Sequence, residues 1–294
     1  MLTSIFYHID EFCKEYDNFF SEKMLPSKPR HRGGRPRKMH LSEVMTISVY
    51  FQCSGYHNFK RYYKDYVCNV LKKDFIFLVS YNRFVELMKE AMVPLALFAI
   101  SRNSKNVTGI SFIDSTKLSV CENLRIYSHK VFKGFAARGK SSTGWFYGFK
   151  LHIIINHLGE IISFWITPGN VDDKNQKLMN MLTEKMYGLL FGDRGYISQK
   201  LFENLYNKGI KLITNLRKNM KNKLMELYEK LLLRKRNIIE STNNILKNTL
   251  RIEHTRHRSI QNFMSNAFSA VAAYSFHKNK PSIGKELIAR LVSD

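Results

Sequence analysis

The sequence predicts a mixed α/β fold, a sheet flanked by helices, preceded by an all-α N-terminal region. Three observations carry that prediction. Apolar residues recur at helical spacing through the first hundred positions. Near residue 106 the texture changes to short segments rich in Ile, Phe and Val, closed by turns at HLGE and TPGN. Beyond these, strand-like and helix-like segments alternate, the order expected of a central sheet with helices on both faces. A length of 294 residues suits one large or two modest domains, and a hydrophobic content of 44% is enough for a core. The expected division is residues 1–105, a helical region, and residues 106–294, the sheet with a helical tail.

The opening MLTSIFYHIDEF carries acids and no long apolar run, unlike a signal peptide. Residues 28–38 follow as a basic arm holding Arg30, Arg32, Arg35, Arg37 and Lys38, with Pro29, Pro36 and the Gly33–Gly34 pair discouraging helix and strand. Such an extended arginine arm suits the narrow minor groove of A·T-rich DNA. A solvated linker is the alternative. LSEVMTISVYFQC predicts a helix over Leu41–Cys53 with Ser42 as its cap, and SYNRFVELMKEAM a second one capped by Ser80, with Phe84, Leu87, Met88 and Ala91 on one face. Basic and aromatic residues lie between them, Lys60 to Lys64 among them, as in a helix-turn-helix-like module. MVPLALFAI is too short to span a bilayer.

In the second region TGISFIDSTKLSV, YGFKLHIIIN and EIISFWITP read as three strands. DDKNQKLMNMLTEKMY reads as a helix with Leu178, Met181 and Leu182 inward. Strand GLLFGD, helix SQKLFENLYNKG and strand IKLITNL come next, then a helix-rich tail from about Met220.

A formal charge of +23 rarely serves folding, because self-repulsion opposes the compact state; it serves a polyanion, and nucleic acid is the default. Cys13, Cys53, Cys68 and Cys121 lack the close spacing of a zinc or redox motif and read as buried free thiols of a reducing, intracellular compartment.

Against this basic background two aspartates stand out. Asp114 interrupts the apolar strand SFID, and Asp193 ends the strand GLLFG on a glycine-bracketed turn. If those strands are neighbours, two carboxylates meet, and like charges in one place need a counter-charge. A hard divalent cation supplies it. A third ligand is expected from RKRNIIESTNNILKNTLR, where Arg236, Glu240, Asn243, Asn244, Lys247 and Arg251 share one helical face and Ile239, Leu246 and Leu250 the other.

FIDST, GDRGY and IIESTNNILK together resemble the three acidic motifs of bacterial insertion-sequence transposases of the DDE superfamily. The resemblance spans residues 108 to about 276. Its third motif is similar to the YREK signature of one branch, with Arg236, Glu240 and Lys247 at the matching spacings and Leu233 in place of the tyrosine. The gap of 47 residues between Asp193 and Glu240 leaves no room for a large β insertion. What the resemblance implies is an RNase H-like core, with Asp114, Asp193 and Glu240 as catalytic residues and ligands of two Mg²⁺ ions, for which Mn²⁺ can substitute. It implies phosphodiester hydrolysis at element ends and 3′-OH strand transfer into target DNA. The expected partners are double-stranded DNA, as terminal inverted repeats and target, and a second copy in a homodimeric DNA complex, in a bacterial cytoplasm at the nucleoid. Arg236 and Lys247 would hold phosphates. Arg194 would do likewise or pair with a neighbouring acid. A nuclease or resolvase without strand transfer and a non-catalytic DNA-binding regulator are the alternatives.

The remaining candidates have plainer readings. Asp172 and Asp173 precede a helix and suit N-capping. His254 and His257, among Arg256 and Arg258, lack a third zinc ligand and read as phosphate contacts, as do Arg251, Arg256 and Arg258. Trp145 reads as a cover for the sheet, with stacking on a base as the alternative.

Overall fold

The computed structural model describes residues 1–23, 39–141, 144–215, 225–253 and 257–284. The basic arm, with Arg30, Arg32, Arg35, Arg37 and Lys38, lies outside them, as does Arg256. Two compact units are present: one of Met1–Arg102 with Asn248–Phe276, the other of Asn103–Lys247 with the segment from His277. This corrects the expected division. The helix Ile260–Ser275 belongs to the helical unit, not to a tail of the sheet. Eleven of its sixteen residues are buried, Ala267, Ala270, Ala272 and Ala273 completely, and a helix apolar all round must be enclosed by other helices.

In the helical unit this helix packs against Leu41–Cys53, Tyr81–Glu90 and Met92–Ser101. Leu2–Lys23 adds Ile5 and Ile9, both fully buried. Ser80 caps its helix as expected, accepting from the Arg83 N–H at 3.4 Å. Ser42 does not cap the Leu41–Cys53 helix. His40 is its N-cap, and the His40 N–H donates to Glu43 Oε2 at 2.7 Å, which leaves Ser42 buried in the first turn. The aromatic residues singled out between the helices are core: Tyr62 and Tyr63 are buried, and Phe59 and Phe84 stack at 5.7 Å between ring centres. Among the described residues no helix is long and apolar enough to cross a membrane. Of the four cysteines only Cys13 is buried; Cys53, Cys68 and Cys121 are half-buried.

The second unit is built on one six-stranded sheet. Its strands are β1 (Ile110–Cys121), β2 (Ala137–Ser141), β3 (Gly144–Asn156), β4 (Ile161–Pro168), β5 (Gly188–Gly192) and β6 (Ile210–Thr214). β3 pairs antiparallel with β1, with β4 and with β2; β1 pairs parallel with β5, and β5 parallel with β6. This mixed order, with helices flanking it, is that of an RNase H-like core. β2, with the sequence ARGKS, was not legible as a strand, because it has no β-branched residue to mark it.

Strand alternation gives the sheet two different faces. Ile113, Ile154, Leu190 and Leu212 point into an apolar cluster with Leu178, Met179 and Leu182 of the helix Gln176–Leu182 and Leu201 and Leu205 of the helix Gln199–Tyr206. Met179, not Met181, is the inward methionine. The other face carries Phe112 stacked on Phe191 and meets the helices Leu227–Arg234 and Asn237–Asn244. There Lys211 of β6 pairs with buried Glu229.

Candidate active site

The two aspartates meet because of parallel register. Phe112 of β1 lies beside Phe191 of β5, so two residues further along each strand Asp114 lies beside Asp193. Both follow the alternation of Phe112 and Phe191 and face away from the apolar cluster.

Asp193 caps the short turn Arg194–Tyr196, its Oδ1 accepting from the Gly195 N–H at 2.8 Å. The glycines of GDRG were expected to permit a sharp turn. Neither has a positive φ; at both the surrounding space is tight instead. A Cβ on Gly192 would lie 3.1 Å from the Tyr196 ring and 3.2 Å from Ile113, and one on Gly195 would lie 2.8 Å from Asp193 Oδ1. Gly195 therefore leaves the carboxylate the position it occupies, and Gly192 lets the strand end close against Tyr196.

Above Asp114 runs the helix Asn237–Asn244. Asn243 Nδ2 donates to Asp114 Oδ2 at 2.9 Å. Arg236, at the start of this helix, places Nη1 3.9 Å from Asp114 Oδ1 and Nη2 2.7 Å from Glu240 Oε1. Burial pushes the Asp114 carboxyl up to about 7; the Arg236 guanidinium opposes that rise, and the charge of Asp193 adds to it. A single guanidinium thus bridges two of the three acids and does not neutralise the site. Glu240 is more than half exposed and turned towards Arg236, and among the described residues no three His, Cys, Asp or Glu side chains are gathered closely enough to hold a metal ion.

Within the helix the expected face is realised: Arg236 and Asn243 both reach Asp114, and Arg236 also holds Glu240, with Asn243 buried and Asn244 exposed. Past Ile245 the chain widens into a π-helical turn, Ile245–Thr249, which carries a half-buried Lys247. That widening changes the angular spacing from about 3.6 residues per turn, so a face drawn for a regular helix no longer applies. Arg251 leaves the helix altogether, at φ 49°, and sits in the helical unit, where it donates to the Gly55 carbonyl at 3.1 Å and lies 2.9 Å from His57 Nε2. Arg194 is exposed beside Asp193, and Arg258 is exposed just before the helix Ile260–Ser275. Leu233 is buried.

A second polar cluster escaped the sequence reading. Ser115 pairs with His152 across β1 and β3, so His152 and Lys150 lie on the face opposite Asp114. Lys150 Nζ is 3.2 Å from Asp173 Oδ1 and donates to the Val171 carbonyl at 3.0 Å. His152 Nδ1 is 3.7 Å from the same carboxylate oxygen, and its Nε2 is 2.9 Å from Thr167 Oγ1. Burial lowers the imidazole pKa to about 4, so the ring is neutral near pH 7. Asp173 is therefore not a helix cap. Asn175 has that role, accepting from the Leu178 N–H at 3.1 Å, while Asp172 Oδ1 accepts from the Lys174 N–H at 3.0 Å. Polar residues at alternate positions in an otherwise apolar β3 were the available signal.

Residues 104–260, just over half the chain, match the family model described as a transposase DDE domain. No curated protein matches the chain.

Proposed function

Since the chain belongs to the family of DDE-domain transposases, we propose that it acts on the ends of a mobile DNA element. The reaction would be metal-dependent hydrolysis of a phosphodiester, followed by attack of the freed 3′-OH on target DNA. The observation that carries this reading is the pairing of Asp114 with Asp193 on adjacent parallel strands, with the Asp114 carboxyl displaced upward despite the Arg236 guanidinium beside it.

That donor set fits a hard divalent cation, Mg²⁺ or Mn²⁺: carboxylate oxygens only, two side by side and a third on a neighbouring helix. Asp114 and Asp193 would hold it, joined by Glu240 once its carboxylate leaves Arg236. When bound, such ions activate water and stabilise the leaving 3′ oxygen. Arg236, released from Glu240, is placed to bind a phosphate oxygen and to stabilise charge as it builds. Asn243 holds Asp114 in one orientation through its Nδ2 donation. Lys247 and the exposed Arg194 supply further phosphate contacts beside the acids. The basic arm and Arg256 and Arg258 would bind duplex DNA, with a second copy of the chain in the complex. A bacterial cytoplasm, at the nucleoid, is the proposed location.

The test is a cleavage and joining assay on labelled DNA carrying the element's ends, with and without Mg²⁺. Mg²⁺-dependent nicking with transfer of the labelled 3′ end is expected. Nicking without joining would reduce the protein to a nuclease, and binding without nicking to a regulator.

A further inference from the structure

The hairpin of β2 and β3 presents a surface that the acidic site does not use. Trp145 is 56% exposed, uncommon for the largest side chain of a well-packed sheet. Lys140 lies directly opposite it across the hairpin, and Arg138 lies opposite Tyr147, two residues along. Both cations approach the indole: Arg138 Cζ and Lys140 Nζ are each 5.8 Å from the ring centre. Both are themselves exposed. On the reverse face of the hairpin Phe146 and Gly139 pack tightly against Gly169, so the strands beneath the indole are fixed. Trp145 is therefore a ring on a rigid support, open to solvent and flanked by two cations.

By alternation along β3, Trp145 is on the same face as Ile153, the cross-strand partner of Asp114. Eight residues separate Ile153 from Trp145, which is about 26 Å of strand at roughly 3.3 Å per residue. A DNA strand leaving the acids along β3 covers that distance in about eight nucleotide steps at the duplex rise of 3.4 Å, and in fewer once it is unstacked. The connection preceding β2 adds to the same character. It carries exposed Arg125, Lys130 and Lys133 with exposed Tyr127, and Glu122 is its single acid. Cations interleaved with exposed rings fit a polyanion that also offers flat faces, and a protein partner would not require five exposed cations against one acid.

We propose that Trp145 stacks on an unpaired DNA base no more than about eight nucleotides from the scissile phosphate, with Arg138 and Lys140 holding the phosphates on either side of that base. Trp145 takes no part in bond breaking; it fixes the path of a strand that has left the duplex. This rests on the reading of the protein as a DNA-processing enzyme, and the experiment separates the two.

The probes are a fluorescent oligothymidylate about twenty nucleotides long and a duplex of equal length, titrated with the full chain and with Trp145→Ala, Trp145→Phe, Arg138→Ala and Lys140→Ala. Losing one stacked base weakens single-strand binding roughly tenfold. Trp145→Ala is expected to show that loss on oligothymidylate, to bind the duplex within about twofold of the parent, and to melt within a few degrees of it. Trp145→Phe keeps a stacking face and restores most of the affinity. Arg138→Ala and Lys140→Ala each flatten the salt dependence on the single strand by about 0.7. Parent-like single-strand binding by Trp145→Ala overturns the proposal, and so does an equal loss on both probes, which marks the indole as structural. Binding of neither probe by the parent chain removes the DNA reading as a whole.

Discussion

The two units bury polar groups on different terms. In the helical unit every buried polar side chain among the described residues is neutral, and several are paired: Gln52 Nε2 donates to Asn266 Oδ1 at 2.8 Å, Ser265 Oγ to the Met88 carbonyl at 2.8 Å, and the Tyr62 hydroxyl to the Ile47 carbonyl at 3.2 Å. In the sheet unit Glu229 is buried, and Asp114, Arg236, Lys150 and Asp173 are half-buried in contact with other charges; the helical unit's half-buried Arg102 meets the Ser275 hydroxyl and the Phe276 ring. A neutral buried pair secures one packing arrangement at small net cost, whereas a covered charge costs stability unless something else requires it. The difference teaches where to look for chemistry: in the unit that retains expensive groups.

The sharpest way to break that contrast is to remove the charge. Asp114→Asn is expected to lower Mg²⁺-dependent cleavage on the order of 10³-fold, while DNA affinity stays within a few-fold. The same variant should be more stable than the parent in metal-free buffer, by an amount that depends on pH. The folded-state carboxyl, at about 7, lies above its unfolded value of about 3.9, so ionisation favours the unfolded chain. The parent therefore loses stability as pH rises from about 4 through 7, and the advantage of Asp114→Asn grows across that window. Denaturation curves at several pH values would check it; a parent stability curve parallel to that of the variant would mean that Asp114 titrates normally.

Gly195→Ala tests the geometry without touching charge. Its Cβ would meet Asp193 Oδ1 at 2.8 Å, so the carboxylate must move. A ten- to hundredfold loss of turnover is expected from such a displacement, about the size of effect a misplaced catalytic group gives, with the melting temperature within a few degrees. Undiminished turnover would show that Asp193 need not point where it does.

In the helical unit the expected effects change in kind. Gln52→Leu leaves Asn266 without its buried partner and should cost about 1–3 kcal/mol in urea unfolding, with the folded protein cutting at the parent rate. The smallest effect belongs to the cap: Ser80→Ala should lose about 0.5–1 kcal/mol and nothing else. If either variant lowered turnover per folded molecule, the line drawn between a packing unit and a chemical unit would have to be redrawn.

What was legible in the sequence follows from how local its cause is. β1, β3, β4, β5 and β6 announce themselves by apolar and β-branched runs, and Asp114 and Asp193 are visible because each breaks or ends such a run. β2 was invisible, since a basic, glycine-containing strand of five residues owes its pairing to β3. The contact of Asp173 with Lys150 joins residues on either side of β4 and its turn, and no local pattern encodes it. The face of the Glu240 helix was read correctly from Arg236 to Asn243, and failed at Arg251, because a regular helical spacing does not foresee the π-helical turn or the positive φ. That Ile260–Ser275 is a helix is written in its residues; which unit encloses it is a long-range matter.

The helical unit is made from two separate stretches of chain, Met1–Arg102 and Asn248–Phe276, and the whole sheet is encoded between them. On the ribosome the first helices emerge early, but the helix that fills their core comes more than a hundred residues later. At about 5–20 residues per second that is a wait of roughly 7–30 s, during which apolar faces of the early helices are uncovered. The sheet, by contrast, has all its strands in one continuous stretch and can close while the later helices are still being made. The unit that begins earlier in the chain is completed only after every strand of the sheet has been made.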